Sequence, residues 1–480
     1  MSDTSHIGEL TATQMLELYD SGGLSPVEVA QASLDQIEAL DEKVNAWCYL
    51  DPETTLTAAR RSEERWRNGQ PMGLLDGVPV AIKDMFMTRG WPNTKGSHIV
   101  DAAQLGEDDG PAVAALRRHG AVPMGRTTTP EFGWKGVTDT PRYGIPRNPW
   151  DPDKTAGGSS GGSSAAVALG MSALALGTDA GGSVRIPAGF CGHPGLKPTQ
   201  GRAPIWPASP FGFLAHPGPM AWTVEDCALL MQVMAEQDYR DPTLPADPVD
   251  YLAGLGDGVR GLHVAFSPRF GWVDVDPEIA ALVAEAVRVF EELGAHVEEV
   301  DPGFDDPLES FGRLFYGGAA NALRDVDAKQ RQRMDPALIE VVEQAEKLSM
   351  LDYQAAMNER AALNERMSRF HQRYDLLLTP ALPIPAFKAG LEVPEGWPHK
   401  RWPTWTPFTY PFNMTGQPAM SVPCGFTRAG LPAGLQIVAA RHQDALVLQA
   451  GHAYQSARPL TDRRPELCSL ADYAQGDRHD

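Results

Sequence analysis

Two hydrophobic periodicities divide this chain. Over the first 65 or so residues the spacing is helical: Thr11-Ala12-Thr13-Gln14 and Ser25-Pro26-Val27-Glu28 both fit the capping-box pattern, and Ala30, Leu34 and Ile37 follow the second on one face. This predicts a helical layer over residues 1–66, outside the core. From Gly77 the pattern shortens to an apolar strand, Val78 to Ile82, then a helix near Pro111 to His119 and a strand at Ala121 to Met124. The unit recurs at Leu262 to Phe266. A helix follows from Pro277 to Leu293, with Ile279, Leu282, Val283, Ala286, Phe290 and Leu293 on one face. Gly294 closes it, and Val297 to Val300 returns as a strand. Further strands are expected at Asp375 to Thr379 and Leu435 to Ala439. Alternation of this kind implies α/β layering. Pro-, Gly- and Trp-rich stretches at Pro242 to Gly258 and Glu392 to Pro407 are not polar enough to be disordered linkers, so they read as loops in one compact domain.

Candidate chemistry concentrates where glycine interrupts this pattern. Gly157-Gly158-Ser159-Ser160-Gly161-Gly162-Ser163 and Asp179-Ala180-Gly181-Gly182-Ser183-Val184-Arg185 are two serine-bearing glycine turns. A predicted helix, Ser163 to Leu169, and a predicted strand, Ser172 to Leu176, join them. Acyl transfer needs a hydroxyl nucleophile beside free backbone N–H groups, and glycine lets a backbone turn those groups toward a developing oxyanion. A helix followed by a returning strand brings both turns to one sheet edge. Ser183 then sits where a helix N-terminus favours negative charge. Lys83 ends the apolar strand that begins at Val78. A lysine there is ordinarily a surface residue whose stem is buried, but burial beside two serines would lower its pKa from about 10.4 and make it a usable base.

These motifs, in this order and with the later Gly195-Leu196-Lys197-Pro198-Thr199 and Gly434-Leu435-Gln436-Ile437, resemble the amidase signature family of serine hydrolases, in its stand-alone amidase branch. The resemblance runs from about Leu74 to Pro219 and resumes near Pro380. It implies a single α/β domain over 1–480, with a mixed, mainly parallel central sheet covered by helices on both faces. The catalytic core would span 67–470, with loop insertions near 200–220 and 390–415. It further implies that Ser183 is the nucleophile, that Ser159, after Gly158 in a cis peptide, relays protons, and that Lys83 is the base. Backbone N–H groups of Ala180, Gly181, Gly182 and Ser183 would form the oxyanion hole, supported by Ser160, Asp179 and Arg185. Ala180 stands where many relatives carry threonine. No cofactor and no metal are called for.

Composition narrows the partners. Net charge is −21, from 62 acidic and 41 basic residues, with no Lys/Arg-rich block, so neither nucleic acid nor an anionic membrane is expected as a partner. Five scattered cysteines without a C-x-x-C pair, and an N-terminus with no signal-peptide pattern, lead to the expectation of reduced thiols in a cytoplasmic protein, and a monomer or homodimer is expected, though no sequence feature decides between them. Aromatics at Trp206, Phe211 and Phe213 lie among prolines and glycines and are candidate pocket residues. Trp402, Trp405, Phe408, Tyr410 and Phe412 are assigned either to the core or to a lid. Three further motifs carry no chemistry. Gly157 to Gly161 matches the nucleophile elbow but follows a proline-rich stretch instead of a strand. Gly256 to Gly261 precedes its strand, when a dinucleotide fingerprint must follow one. Cys191-Gly192-His193 lacks partner ligands.

The expected reaction is hydrolysis of small apolar or aryl amides, with esters and carbamates (urethanes) as further substrates, through an acyl-enzyme. The alternative is the glutamine-hydrolysing A subunit of an aminoacyl-tRNA amidotransferase. Against it, Thr128-Thr129-Pro130-Glu131-Phe132-Gly133 resembles the stand-alone amidases, whereas the transamidation subunits tend to carry Asp-Glu-Phe followed by Ala-Met-Gly.

Overall fold

The computed structural model describes residues 4–244 and 247–468. The first three residues and the expected core boundary at 470 lie outside the described residues, as do Pro245 and Ala246 in the Pro242 to Gly258 stretch. Helices α1 (Ala12–Ser21), α2 (Pro26–Val44) and α3 (Pro52–Arg67) begin the chain, and the capping boxes at Thr11 and Ser25 both form. Strand β1 (Trp47–Leu50) interrupts this stretch; four residues are too few to show a period in the sequence.

The remaining strands are β2 (Pro79–Lys83), β3 (Val122–Thr127), β4 (Arg147–Asn148), β5 (Asp151–Thr155), β6 (Leu174–Asp179), β7 (Gly195–Lys197), β8 (His216–Ala221), β9 (His263–Phe266), β10 (His296–Glu299), β11 (Leu376–Pro380), β12 (Ala419–Phe426) and β13 (Pro432–Ala439). Eleven of the thirteen strands of the described residues, β1 included, form one mixed sheet in the order β1-β3-β2-β6-β8-β7-β12-β13-β11-β9-β10, and β4 and β5 form a separate ribbon. Parallel pairing builds two blocks, β3-β2-β6 and β11-β9-β10. Antiparallel pairing through β8, β7, β12 and β13 joins the blocks and adds β1 at the edge.

The other helices are α4 (Pro111–Arg118), α5 (Gly161–Ala168), α6 (Arg185–Cys191), α7 (Val224–Met234), α8 (Pro277–Glu292), α9 (Leu308–Ala322), α10 (Ala328–Arg331), α11 (Pro336–Ala345), α12 (Met350–Phe370), α13 (Tyr410–Thr415) and α14 (Asp444–Ala457). Strand alternation distributes them. Val80, Ile82, Leu174, Leu176, Leu376 and Leu378 pack with residues of α4, α7, α8 and α14 on one face. On the other face Ala81 and Ala175 meet α2 and α5, while Leu377 and Val438 meet α6, α9 and α11. Helices therefore cover both faces. Period two sends Lys83 to the side of Ala81, toward α5.

The expected loop near 200–220 ends early, because His216 to Ala221 is strand β8 inside the sheet. Pro217 and Pro219 hid it, since proline removes a ladder donor and ordinarily marks a sheet edge. No helix of the described residues is long and apolar enough to cross a membrane.

Candidate active site

Lys83 leaves the C-terminal end of β2 fully buried, and its Nζ meets three hydroxyls: Ser159 Oγ at 2.7 Å, Thr178 Oγ1 at 2.8 Å and Ser160 Oγ at 2.9 Å. Burial drives the lysine pKa well below its ordinary value, opposed only in part by the charge of Asp179. Ser159 follows a cis peptide from Gly158. Ser160 sits over Gly177, where an added Cβ would lie 3.1 Å from its Oγ.

The connection α5–β6 carries the chain from the first glycine turn to the second, and the Ser160 N–H donates to the Ser183 carbonyl at 3.2 Å. The two turns thus meet where the sequence predicts. Ser159 and Ser183 are 2% and 4% exposed, and both open on one cavity of about 180 Å³. Their remaining exposure is toward that cavity.

The second turn is built around Asp179. Its carboxylate accepts Arg185 Nε and Nη2 at 3.0 Å each, Asn413 Nδ2 at 2.7 Å, and the N–H groups of Gly182 at 2.7 Å and Val184 at 3.2 Å. Arg185 places its other hydrogens on Thr409 O, Gln436 Oε1 and Asn413 Oδ1 at 2.7–2.9 Å. Burial alone would raise the Asp179 pKa; the Arg185 guanidinium, with help from Lys197 and Asn413, reverses this and holds it well below the ordinary carboxylate range. Gly182 departs from expectation here. Its N–H is spent on Asp179, whereas among the described residues the N–H groups of Ala180, Gly181 and Ser183 have no protein partner. Glycine is needed at 181 because a Cβ would stand 2.7 Å from Phe311 Cζ and Trp402 Cη2, and at 182 because φ is +128° against Thr409.

The cavity wall is mostly apolar: Met85, Phe86, Met87, Phe132, Ile205, Trp206 and Phe211 line it. Trp206 and Phe211 therefore lie where the sequence places them. Phe213 does not: the one-turn helix Gly212–Leu214 redirects the chain, and its ring lies 3.9 Å beneath the Arg360 guanidinium. Trp402, Trp405, Phe408, Tyr410 and Phe412 are core, and Trp402 and Tyr410 pack on Phe311 behind the glycine turn. Sequence reasoning missed Thr178, a polar residue inside an apolar strand, and Met85 to Met87, which a strand-then-loop reading left unassigned. It also missed Lys95, a half-buried residue on the cavity wall whose pKa burial lowers while Asp84 opposes. Cys191 and His193 are packing residues; burial raises the thiol to about 12 and lowers the imidazole to about 4. A larger open groove of about 850 Å³ between Val300–Pro307 and α12 contains neither serine.

A buried amine, two serines on one cavity and a turn with free N–H groups define a hydrolase of the amidase signature class. Residues 28–448 match the family model described as Amidase, and the chain belongs to that family. It is 38% identical to an acylamidase of Rhodococcus erythropolis, over 95% of this chain and 97% of that one. It is equally 38% identical to the A subunit of the glutamyl-tRNA(Gln) amidotransferase of Myxococcus xanthus, over 96% of this chain and 100% of that one. Its fold matches the crystal structure of a bacterial aryl acylamidase of the amidase signature family with a TM-score of 0.89 and 32% identity, covering 96% of this chain and 98% of that one. The protein is a hydrolase acting on amides.

Proposed function

We propose that this protein is a serine amidase that hydrolyses small apolar or aryl amides through an acyl-enzyme, with esters and carbamates as further substrates. The observation that carries the reading is the Lys83 amine held on Ser159, with Ser183 beside it on an apolar cavity.

A neutral amine has two hydrogens and one lone pair. Ser160 spends its own hydrogen on the Thr178 carbonyl at 3.3 Å, so Ser160 and Thr178 accept from Nζ and the lone pair is left for the Ser159 hydroxyl. Ser183 Oγ attacks the carbonyl carbon as its proton passes to Ser159 Oγ, whose own proton passes to Lys83. The oxyanion faces the N–H groups of Ala180, Gly181 and Ser183, each such donor being worth ~3–4 kcal/mol of transition-state stabilisation. When the C–N bond breaks, the proton returns by the same path to the leaving amine, and water then releases the acid.

Equal identity to an amidotransferase component supports a second reading, glutamine hydrolysis for a partner subunit. The cavity wall of Met, Phe, Trp and Ile side chains favours the first. A panel of aryl amides, fatty amides, esters, carbamates and glutamine, assayed with this chain alone and with Ser183→Ala, separates them. Aryl-amide turnover that disappears in Ser183→Ala supports the amidase. Turnover of glutamine alone, or only with an added subunit, supports the second reading, and hydrolysis that survives Ser183→Ala overturns the role of Ser183.

A further inference from the structure

The cavity wall carries one positive charge that the proposed chemistry does not use. Lys95 lines the cavity together with Ser159 and Ser183. Among the described residues its Nζ has no hydrogen-bond acceptor and no ion-pair partner. The carboxylate that acts on its charge, Asp84, is already engaged by Thr94 N at 3.2 Å, Thr94 Oγ1 at 2.6 Å, Gly96 N at 3.1 Å and Arg126 Nη1 at 3.4 Å. The acid on the cavity wall, Asp179, is consumed by Arg185.

The backbone under Lys95 is fixed from both sides. Asp84, the residue after Lys83, grips Thr94 and Gly96, and the Phe132 N–H donates to the Lys95 carbonyl at 2.8 Å. Lys95 itself has φ +51°, a left-handed conformation in which glycine or asparagine costs less than a long side chain. The fold thus holds a lysine, without an ion-pair partner among the described residues, on a mostly apolar wall, registered to the strand that ends in the buried lysine.

We propose that Lys95 is a specificity residue that binds an anionic group, a carboxylate, carried by the amide substrate at a distance from its scissile bond. The inference rests on the amidase reading and deepens it: the preferred substrates are apolar in the middle and negative at one end. A substrate with a terminal ammonium is rejected by the same charge.

The test uses the monoanilides of glutaric and adipic acid, N-acetyl-4-aminobenzoate, and the matching neutral compounds with methyl in place of carboxylate. The acyl-side and amine-side series show on which side of the scissile bond Lys95 acts. The ratio of kcat/KM for charged over neutral substrate is expected to be about tenfold or more, carried by KM, and to fall with added salt. Lys95→Met should bring that ratio near one, Lys95→Arg should retain it, and Lys95→Glu should invert it toward ammonium-bearing anilides. An unchanged ratio in Lys95→Met, or no wild-type preference in either series, overturns the proposal while the amidase reading stands. Calorimetric titration of the same compounds into Ser183→Ala protein gives an independent measure. A carboxylate preference in binding that Lys95→Met removes, without anilide turnover by the wild type, supports the Lys95 site and refutes the reading of aryl amides as substrates.

Discussion

Lys83 is enclosed by three hydroxyls and, among the described residues, forms no ion pair, so burial favours amine over ammonium. The sign of its pH effect follows. The folded pKa lies below the ordinary lysine value, so with Lys83 as the proposed base the deprotonated form is the competent one, and activity is expected to hold at alkaline pH and to fall as pH drops through that lowered pKa. A kcat/KM profile that is flat down to pH ~5 would count against a lysine base. Lys83→Ala should lower kcat by about 10²–10⁴-fold and approach the effect of Ser183→Ala, because groups that act as a unit are not additive. Both serines and the lysine are legible in the sequence, since glycine turns and a charged strand end stand out locally. Thr178 and Lys95 are not: one looks like an ordinary strand threonine, and the other acquires meaning only when the Thr94–Gly96 turn folds over the cavity.

Individual elements set the geometry of the Asp179–Arg185 glycine turn, the proposed oxyanion site. The end of β6 supplies Asp179, the start of α6 supplies Arg185, and α13 and β13 supply Asn413 and Gln436, so four elements converge on one guanidinium. Behind the turn, α9 and the Trp402–Trp405 segment press Phe311 and Trp402 against Gly181. Gly181→Ala should therefore displace the N–H groups by part of an ångström and reduce kcat on the order of 100-fold, with far-UV circular dichroism unchanged. Retention of wild-type kcat would show that the turn tolerates the shift. Element type and order were readable where periods are long, as in α2 and α8. The short, proline-bearing strand β8 was not, because its place is secured by pairing to β6 across the sheet and not by its own composition.

Across the whole molecule, the cost of burying ionisable groups appears as pH-dependent stability. His193, fully buried against Ser164 and Pro194, titrates at about 4, below the ordinary histidine value of 6.5. The native ring stays neutral while the unfolded chain takes up a proton, so stability is lost as pH falls from 6.5 toward 4 and levels off below that. Urea unfolding of wild type and His193→Gln at pH 7 and pH 4.5 should show the stability difference shifting against the wild type by on the order of 3 kcal/mol at the lower pH. A difference independent of pH would mean that the imidazole is not held neutral. The sequence alone determined the α/β layering, the two glycine turns and the identity of the amine and hydroxyls, because backbone freedom, hydrophobic period and side-chain chemistry are local properties. Tertiary structure alone decided which aromatics line the cavity and which form core, that Asp179 takes the Gly182 N–H, and that Lys95 faces the cavity without a partner. Those outcomes depend on which distant segments share a space, and no local pattern encodes that.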